Sequence, residues 1–430
     1  MSTVPRLLIA SAATVVLLAA CDGGGSTSSA ESTSGVTVRD SAGIRIVENH
    51  DSAWTEATRW RLAAEPDLVI GSIDGSVPGT DFGRVDDALV VDGHVVVADG
   101  QTRLLRVFDE DGVWLRDLGG QGDGPFEFRF LQAVFAAGDS VAVWDANRRR
   151  AVLLPVDGGT PRAALFPTNN EPGEGEFVEL LLPDGRAVVG PTPAYGAALP
   201  EGPRTRADRL YRVVREGGAP GDTIGALPYY LAYNFGTERT TGPVLFAPTG
   251  SFEPAGADAV WFGWAIDGYE LRRIPLDGRD GPEMRVRRAW EASPLPDDIH
   301  ARVANHFDSS YAAAGLPTRV VAEQREMVDA LQIVDPLPAY WDFEVASDGH
   351  LWVNDFRRPD EVTVDAVLGR ERVGSTRWSV FTPTGRWLGT VDVPVEFAPT
   401  AFGSDWVLGV RTDEFDVQWI ERYPILQPGS

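Results

Sequence analysis

Oxygen-bearing side chains recur at one place in a repeating pattern of this sequence. Six positions before the turn glycines Gly93, Gly138 and Gly185 stand Asp87, Gln132 and Glu179. Ahead of a fourth such turn the register slips by one, so that Asp342 and Glu344 flank Phe343. Carboxylate and amide oxygens suit a hard cation such as calcium or magnesium rather than zinc, and a bound cation there would polarise a substrate oxygen. Calcium is therefore the one cofactor the pattern suggests. The competing reading is a solvated polar rim with no ion at all.

Other catalytic chemistry has little to stand on. There is no G-x-S-x-G elbow, H-E-x-x-H helix, Walker loop or dinucleotide glycine pattern. The histidines (His50, His94, His300, His306 and His350) are scattered, and His300 and His306 are six apart, on different faces of any helix. No catalytic residue is assigned, and an enzyme is the less favoured class. Asp99, Asp145 and Asp355 each end a strand with an arginine within four residues, which reads as a carboxylate–guanidinium pair holding a turn or bridging to a neighbouring unit. The tryptophans fall mostly at repeating strand positions and are expected in the core.

The single cysteine excludes a disulfide framework and has a different use. Leu7 to Leu18 form an apolar run after a weakly basic start, about 18 Å long as a helix and too short for a bilayer core. The run ends in Leu18-Ala19-Ala20-Cys21, which looks like a bacterial lipoprotein cleavage box, with Cys21 as the lipid attachment point. Residues 1–20 are thus read as a lipoprotein signal peptide. Residues 21–35, rich in Gly and Ser, read as a flexible tether. The expected product is exported and held by its acyl anchor to a bacterial membrane, on a periplasmic or outer-membrane face.

The 38 basic side chains, all arginine, face 63 acidic ones for a net charge of −25. Nucleic acid is excluded as a partner, because binding it requires a basic face that displaces counterions.

These side chains must be held by a repeating β architecture. VDDALVVDG, HVVVA, RLLRVF and VWLRDL form four strands joined by Asp-Gly turns, the antiparallel meander of a propeller blade. Similar units follow from Leu131, Phe177 and Ala259, and from WDFEVASDGHLWVNDF near Trp341. Between the fourth and fifth units, at about 294–333, two helical stretches interrupt the pattern. Ile299, Val303 and Phe307 make one apolar stripe, Asp297 is a candidate cap, and Pro317-Thr318 suit the second start. The C-terminal segment supplies about three strands, and Arg61 to Ile70 resembles the missing fourth. The fold expected over 36–430 is a single all-β domain, a six-bladed β-propeller with an inserted helical hairpin. Its ring would be closed by the N-terminal strand in the last blade. A seventh blade is the alternative if Gly43 to Asn49 joins another unit.

SAGIRIVEN, FGRVDDALVVDGHVVVAD, RVFDEDGVWLRDLGGQGDGPFEF and DGHLWVNDFRRP together resemble a family of six-bladed β-propeller lipoproteins within the broader NHL-repeat propellers. The resemblance covers Val36 to about Ile425. It implies the propeller fold and the cell envelope, and little about function, since most members are uncharacterised. The family's Gly-Pro-Gly-Glu-Phe reads Gly124-Pro125-Phe126-Glu127-Phe128 here, a change in an interblade turn. The leading functional expectation is a binding or scaffold module for a protein, peptide or glycan of the envelope. The alternatives are a metal-assisted lactonase, lyase or hydrolase at a central channel mouth, and a structural component of an envelope assembly.

Overall fold

The computed structural model describes residues 31–428, apart from 74, 132, 146–147, 149, 167–175, 192–199, 219–220, 238–239 and 280. Cys21, the signal segment and most of the tether lie outside the described residues, as does Gln132. The described chain is mostly β and contains six sheets.

The first sheet runs Val85–Val91, His94–Asp99, Leu104–Phe108 and Trp114–Gly119, four consecutive antiparallel strands. Its tight turn at Asp92-Gly93 has positive φ at both residues, a conformation that Asp tolerates and Gly supplies freely. The second sheet follows the same order from Ala133–Ala137 to Arg162–Ala164, and the fifth from Tyr340–Val345 to Trp387–Asp392. The third sheet begins at Glu176–Leu181 and contains two long strands, Gly202–Arg215 and Thr223–Asn234. The fourth begins at Ser251–Pro254 and reaches Met284–Arg288. The sixth has Phe397–Phe402, Trp406–Thr412 and Gln418–Leu426 from the C-terminal segment.

Two N-terminal pieces complete these sheets. Leu68–Ile70 pairs antiparallel with Gln418–Leu426, placing Ile70 opposite Ile420 in the sixth sheet. Ile44–Asn49 instead adds to the outer edge of the fourth sheet, parallel to Met284–Arg288. Val36–Ser41 and Glu31–Thr33 continue that sheet outward, so pairing begins inside the segment read as tether. GIRIVEN therefore builds no seventh sheet. Between these two docking points the chain crosses the fifth sheet. The Ala53 and Trp54 N–H groups donate to the carbonyls of Trp387 and Leu388, and Arg59 Nε donates to Thr390 O at 2.8 Å.

Apolar alternation along each strand buries one side chain in two against each neighbouring sheet. The result is six core clusters, each between two consecutive sheets. Val96, Leu105, Val141 and Val152 join the first to the second. Trp261, Leu271, Val286, Phe343 and Val353 join the fourth to the fifth. Leu68, Ile70, Val97, Phe108, Leu408 and Ile420 lie between the sixth and the first. The first strands of the sheets are also neighbours in chain order, and Phe397–Phe402 lies beside Val85–Val91.

The helical insert follows the fourth sheet as α1 (Ile299–Ala313) and α2 (Thr318–Ala330). Ile299 and Val303 are buried and Phe307 packs beside them in the cluster shared by the third and fourth sheets, as the stripe requires. The cap differs: Asp298, not Asp297, precedes α1, and its side chain makes no capping bond. No helix among the described residues is long and apolar enough to cross a membrane.

Candidate functional site

Asp87, Glu179, Asp342 and Glu344 sit on the first strands of their sheets, the first three beside irregular pairing, and Gln132 lies outside the described residues. Register shifts fall between Val85 and Asp87, between Val178 and Leu180, and between Tyr340 and Asp342. A bulge of this kind re-aims the next side chain out of the regular alternation. Asp87 and Asp342 are structural counterparts: each follows a bulge, and each carboxylate accepts the next residue's N–H, Ala88 at 2.8 Å and Phe343 at 2.9 Å. That equivalence resolves the one-residue slip seen in the fifth unit.

Three of the predicted residues are linked electrostatically to one that the sequence did not announce. Burial, then the charges of Glu253, Asp342 and Asp87, push the Glu344 carboxyl well up. Glu253, on the first strand of the fourth sheet, is raised in the same way by burial and by Asp342 and Asp87. Burial lifts Asp342, and it lifts Asp87 to about 6 against the opposing bond from Ala88. The charges of Asp342 and Asp87 thus act on the two glutamates across three sheets, and desolvation of these half-buried carboxyls favours the protonated form. Glu253 escaped the turn-glycine count because its following turn reads Pro-Ala-Gly-Ala-Asp, without an Asp-Gly pair.

Glu179 does not join them. It meets Arg209 Nη1 at 3.1 Å, and the Arg209 guanidinium lies 3.3 Å over the Tyr229 ring. Burial raises the Glu179 carboxyl while Arg209 opposes the rise. A calcium ion needs six to eight oxygens at roughly 2.3–2.6 Å. Among the described residues no three or more His, Cys, Asp or Glu side chains are grouped to hold a metal. The described carboxylates therefore do not fit a calcium site as they stand.

A second polar centre lies between the fourth and fifth sheets. Arg288 ends the strand Met284–Arg288 and reaches Asp355, which ends Leu351–Asp355, at 3.1 Å. Asp355 also accepts the Tyr269 hydroxyl at 3.1 Å and the Ser379 hydroxyl at 2.9 Å. The guanidinium is flanked by the Tyr269 ring at 4.4 Å and the Trp387 ring at 4.6 Å. The bridging half of the sequence reading is realised at Asp355, through an arginine of the preceding sheet rather than Arg357 or Arg358. Asp99 is served by Arg106 at 3.2 Å, not Arg103, and Asp145 accepts the backbone N–H groups of Arg129 and Arg148.

Clefts open on either side of Arg288. One, of about 420 Å³, is lined by Trp54, Arg59, Asp355, Arg377 and Trp387. The other, of about 460 Å³, is lined by Trp264, Tyr269, Glu270, Arg272, Arg285 and Arg287 among others. In the second, Glu270 accepts Arg272 Nε at 2.7 Å and Arg287 Nε at 2.6 Å. Burial alone would raise its carboxyl, but those bonds and the charges of Arg272 and Arg285 hold it below the ordinary range. Trp144, Trp261, Trp264, Trp352 and Trp378 are core residues, as their strand positions predicted.

No protein-family model matches the chain, and no curated protein is similar to it in sequence. Among solved structures it is similar to an exported protein from Bacteroides fragilis, at 12% identity and a TM-score of 0.47 over 89% of this chain and 99% of that one. A member of the DUF4221 family from Bacteroides vulgatus gives 10% identity and a TM-score of 0.45, with 86% and 100% covered. A gluconolactonase from Xanthomonas campestris gives 12% and 0.38, with 86% and 99% covered. At these identities and scores the likenesses carry nothing about ligand or reaction to this chain.

Proposed function

We propose that this chain is an exported six-bladed β-propeller, lipid-anchored through Cys21, that works as a binding module of the cell envelope. The propeller reading is supported by the six core clusters between consecutive sheets, the last of them between the sixth and the first. Leu68–Ile70 in the sixth sheet supports closure by an N-terminal strand. The anchor rests on the Leu18-Ala19-Ala20-Cys21 sequence.

The observation that carries a binding role is the pair of aromatic and charged clefts flanking Arg288. Their volumes fall in the range of roughly 300–1,000 Å³ typical of small-ligand sites. The test is to express the full chain and its Cys21→Ser variant in a Gram-negative host. Wild type is expected in the membrane fraction, carrying fatty acid on its N-terminal peptide, and the variant in the soluble periplasmic fraction. A variant that stayed membrane-bound would overturn the anchor. Calorimetric titration of the detergent-solubilised chain with envelope glycans and peptides tests the binding role, which fails if none binds saturably.

A second reading, a divalent-metal-assisted lactonase, lyase or hydrolase at the channel mouth, is favoured by one observation. Burial raises the carboxyls of Asp87, Glu253, Asp342 and Glu344, and the charges of Asp342 and Asp87 bear on both glutamates. A cation that entered would have to displace their protons. Calcium that raises the melting temperature of wild type but not of Glu253→Gln supports this reading. No such effect, with no turnover of lactones or esters, removes it.

A further inference from the structure

The larger cleft beside Arg288 has a charge composition opposite to that of the chain. Register places Glu270 opposite Arg287 and Arg272 opposite Arg285 in adjacent strands, so all four side chains share one face of the fourth sheet. Like charges directly across a strand pair are unfavourable by a few tenths to about 1 kcal/mol. Here Arg272 and Arg285 stand in that relation with a single carboxylate between them. Glu270 receives both of their guanidiniums and that of Arg287. Glu48, from the added strand Ile44–Asn49, is shared between Arg287 and Arg39 at 3.4 and 3.3 Å. The cleft lining itself carries Arg272, Arg285, Arg287 and Arg288 against Asp267 and Glu270, with Asp267 paired to Arg206 and Arg288 to Asp355, on a chain whose net charge is −25.

The cleft also holds unused donors. Arg272 bonds through Nε and Arg285 through Nη1, and both bonds go to Glu270. Among the described residues no other protein acceptor takes Arg272 Nη1 or Nη2, or Arg285 Nε or Nη2. Both side chains are held partly buried, at 26% and 29% exposed, instead of being extended into water. A guanidinium presents its N–H groups in a planar fork that matches a carboxylate in bidentate fashion. Trp290, which lines the same cleft and is half-buried, offers a ring surface within it.

We propose that this cleft binds a carboxylate-bearing sugar, its carboxylate on Arg272 and Arg285 and its ring against Trp290. The assignment rests on the binding reading above and names its ligand class. Glu270 then has two roles. It keeps the arginines in place when the cleft is empty, and it competes with the ligand for the same donors.

That competition gives the test its sign. The intact chain in detergent is titrated by calorimetry with D-glucuronate, D-glucose and inorganic sulfate. Glucuronate is expected to bind at least tenfold more tightly than glucose or sulfate. Arg272→Gln and Arg285→Gln should each weaken glucuronate at least tenfold. Arg285→Lys, which keeps the charge and loses the fork, should weaken it severalfold. Glu270→Gln should tighten it severalfold, an effect that a purely structural ion-pair cluster does not produce and that survives if an arginine variant fails to fold. Equal affinity for glucuronate and glucose overturns the proposal, as does equal affinity for glucuronate and sulfate, or unchanged affinity in folded Arg285→Gln. If glucuronate fails while a neutral glycan or peptide binds, the ligand class is wrong and the binding reading stands. If nothing binds, both fall.

Discussion

Arg288 and Asp355 are 67 positions apart in the chain and 3.1 Å apart in the fold, and they tie the fourth sheet to the fifth. The pair is not an isolated ion pair, since Asp355 also accepts two hydroxyls and Arg288 is flanked by two rings. Removing the carboxylate leaves a buried cation and two hydroxyls short of an acceptor. Asp355→Ala is therefore expected to lower the unfolding free energy by about 3–5 kcal/mol. Ser379→Ala, which deletes a hydroxyl that donates to Asp355 and accepts from Arg288, should cost less, about 1.5–3 kcal/mol. Urea unfolding monitored by tryptophan fluorescence measures both. Equal losses for the two variants would mean that Asp355 is not the centre of the network.

Asp87 makes stability depend on pH. Its carboxyl titrates near 6 in the folded chain because burial favours the neutral form, against about 4 in the unfolded chain. The folded state thus holds the proton longer. Its stabilising effect is fully present below pH 4 and is lost as pH rises from about 4 through about 6. The loss is up to about 3 kcal/mol at roughly 1.4 kcal/mol per pH unit. Asp87→Asn, which cannot ionise, should lose less stability than wild type between pH 4.5 and 7. Glu253→Gln should act in the same direction. Parallel pH profiles for wild type and both variants would contradict the buried-carboxyl account.

Ile70 is almost wholly buried, at 1% exposed, in the strand that the N-terminal segment lends to the sixth sheet. Cutting it back to alanine leaves a cavity between the sixth and first sheets. Ile70→Ala should cost about 2–5 kcal/mol, whereas Val69→Ala, on the exposed face of the same strand, should stay within about 0.5 kcal/mol. The contrast is read from denaturation midpoints at constant slope. A large loss at both positions would point to backbone pairing rather than burial as the stabilising element.

Asn49 closes the other N-terminal strand. Its Nδ2 donates to Arg287 O at 3.0 Å and Gly385 O at 2.9 Å, and its Oδ1 accepts Trp387 N–H at 2.8 Å. Its amide therefore bridges the fourth sheet to a turn and strand of the fifth. Asn49→Asp keeps the acceptor and loses both donors, while Asn49→Leu loses all three bonds. Each should destabilise by about 2 kcal/mol or more, with aspartate the worse because its carboxylate would be buried against two carbonyl oxygens. Hydrogen exchange at the Trp387 amide separates them, with protection retained in Asn49→Asp and lost in Asn49→Leu.

Local signals in the sequence were a sound guide to local structure. Asp92-Gly93 is a hairpin turn, Ile299 and Val303 are the buried stripe of α1, and Arg61 to Ile70 does pair with the C-terminal strand. Long-range parallel pairing leaves no such signal, so the docking of Ile44–Asn49 on the fourth sheet was not legible. The carboxyl cluster was half legible. Asp87, Asp342 and Glu344 follow the repeat, but Glu253 precedes an irregular turn, and Glu179 is claimed by Arg209, which lies thirty residues on. The arginine partners of Asp99 and Asp355 were misread for the same reason. Strand pairing within a sheet brings Arg106 to Asp99 and Arg209 to Glu179, and packing between sheets brings Arg288 to Asp355.

The way the N-terminal segment is attached sets how this molecule carries a mechanical load. A pull on the chain near residue 31 first meets the antiparallel pairs Glu31–Thr33 with Val36–Ser41 and Val36–Ser41 with Ile44–Asn49. Hairpins gripped at an open end unzip one bond at a time and yield at low force. Next comes Ile44–Asn49 against Met284–Arg288, whose bonds lie in parallel register and are loaded together when one strand is drawn along the other. Asn49, bonded to both sheets, stands at the end of that strand. The segment therefore behaves as a fuse followed by a lock. The outer hairpins absorb tension as slack, while the strand that completes the sixth sheet stays out of the line of force.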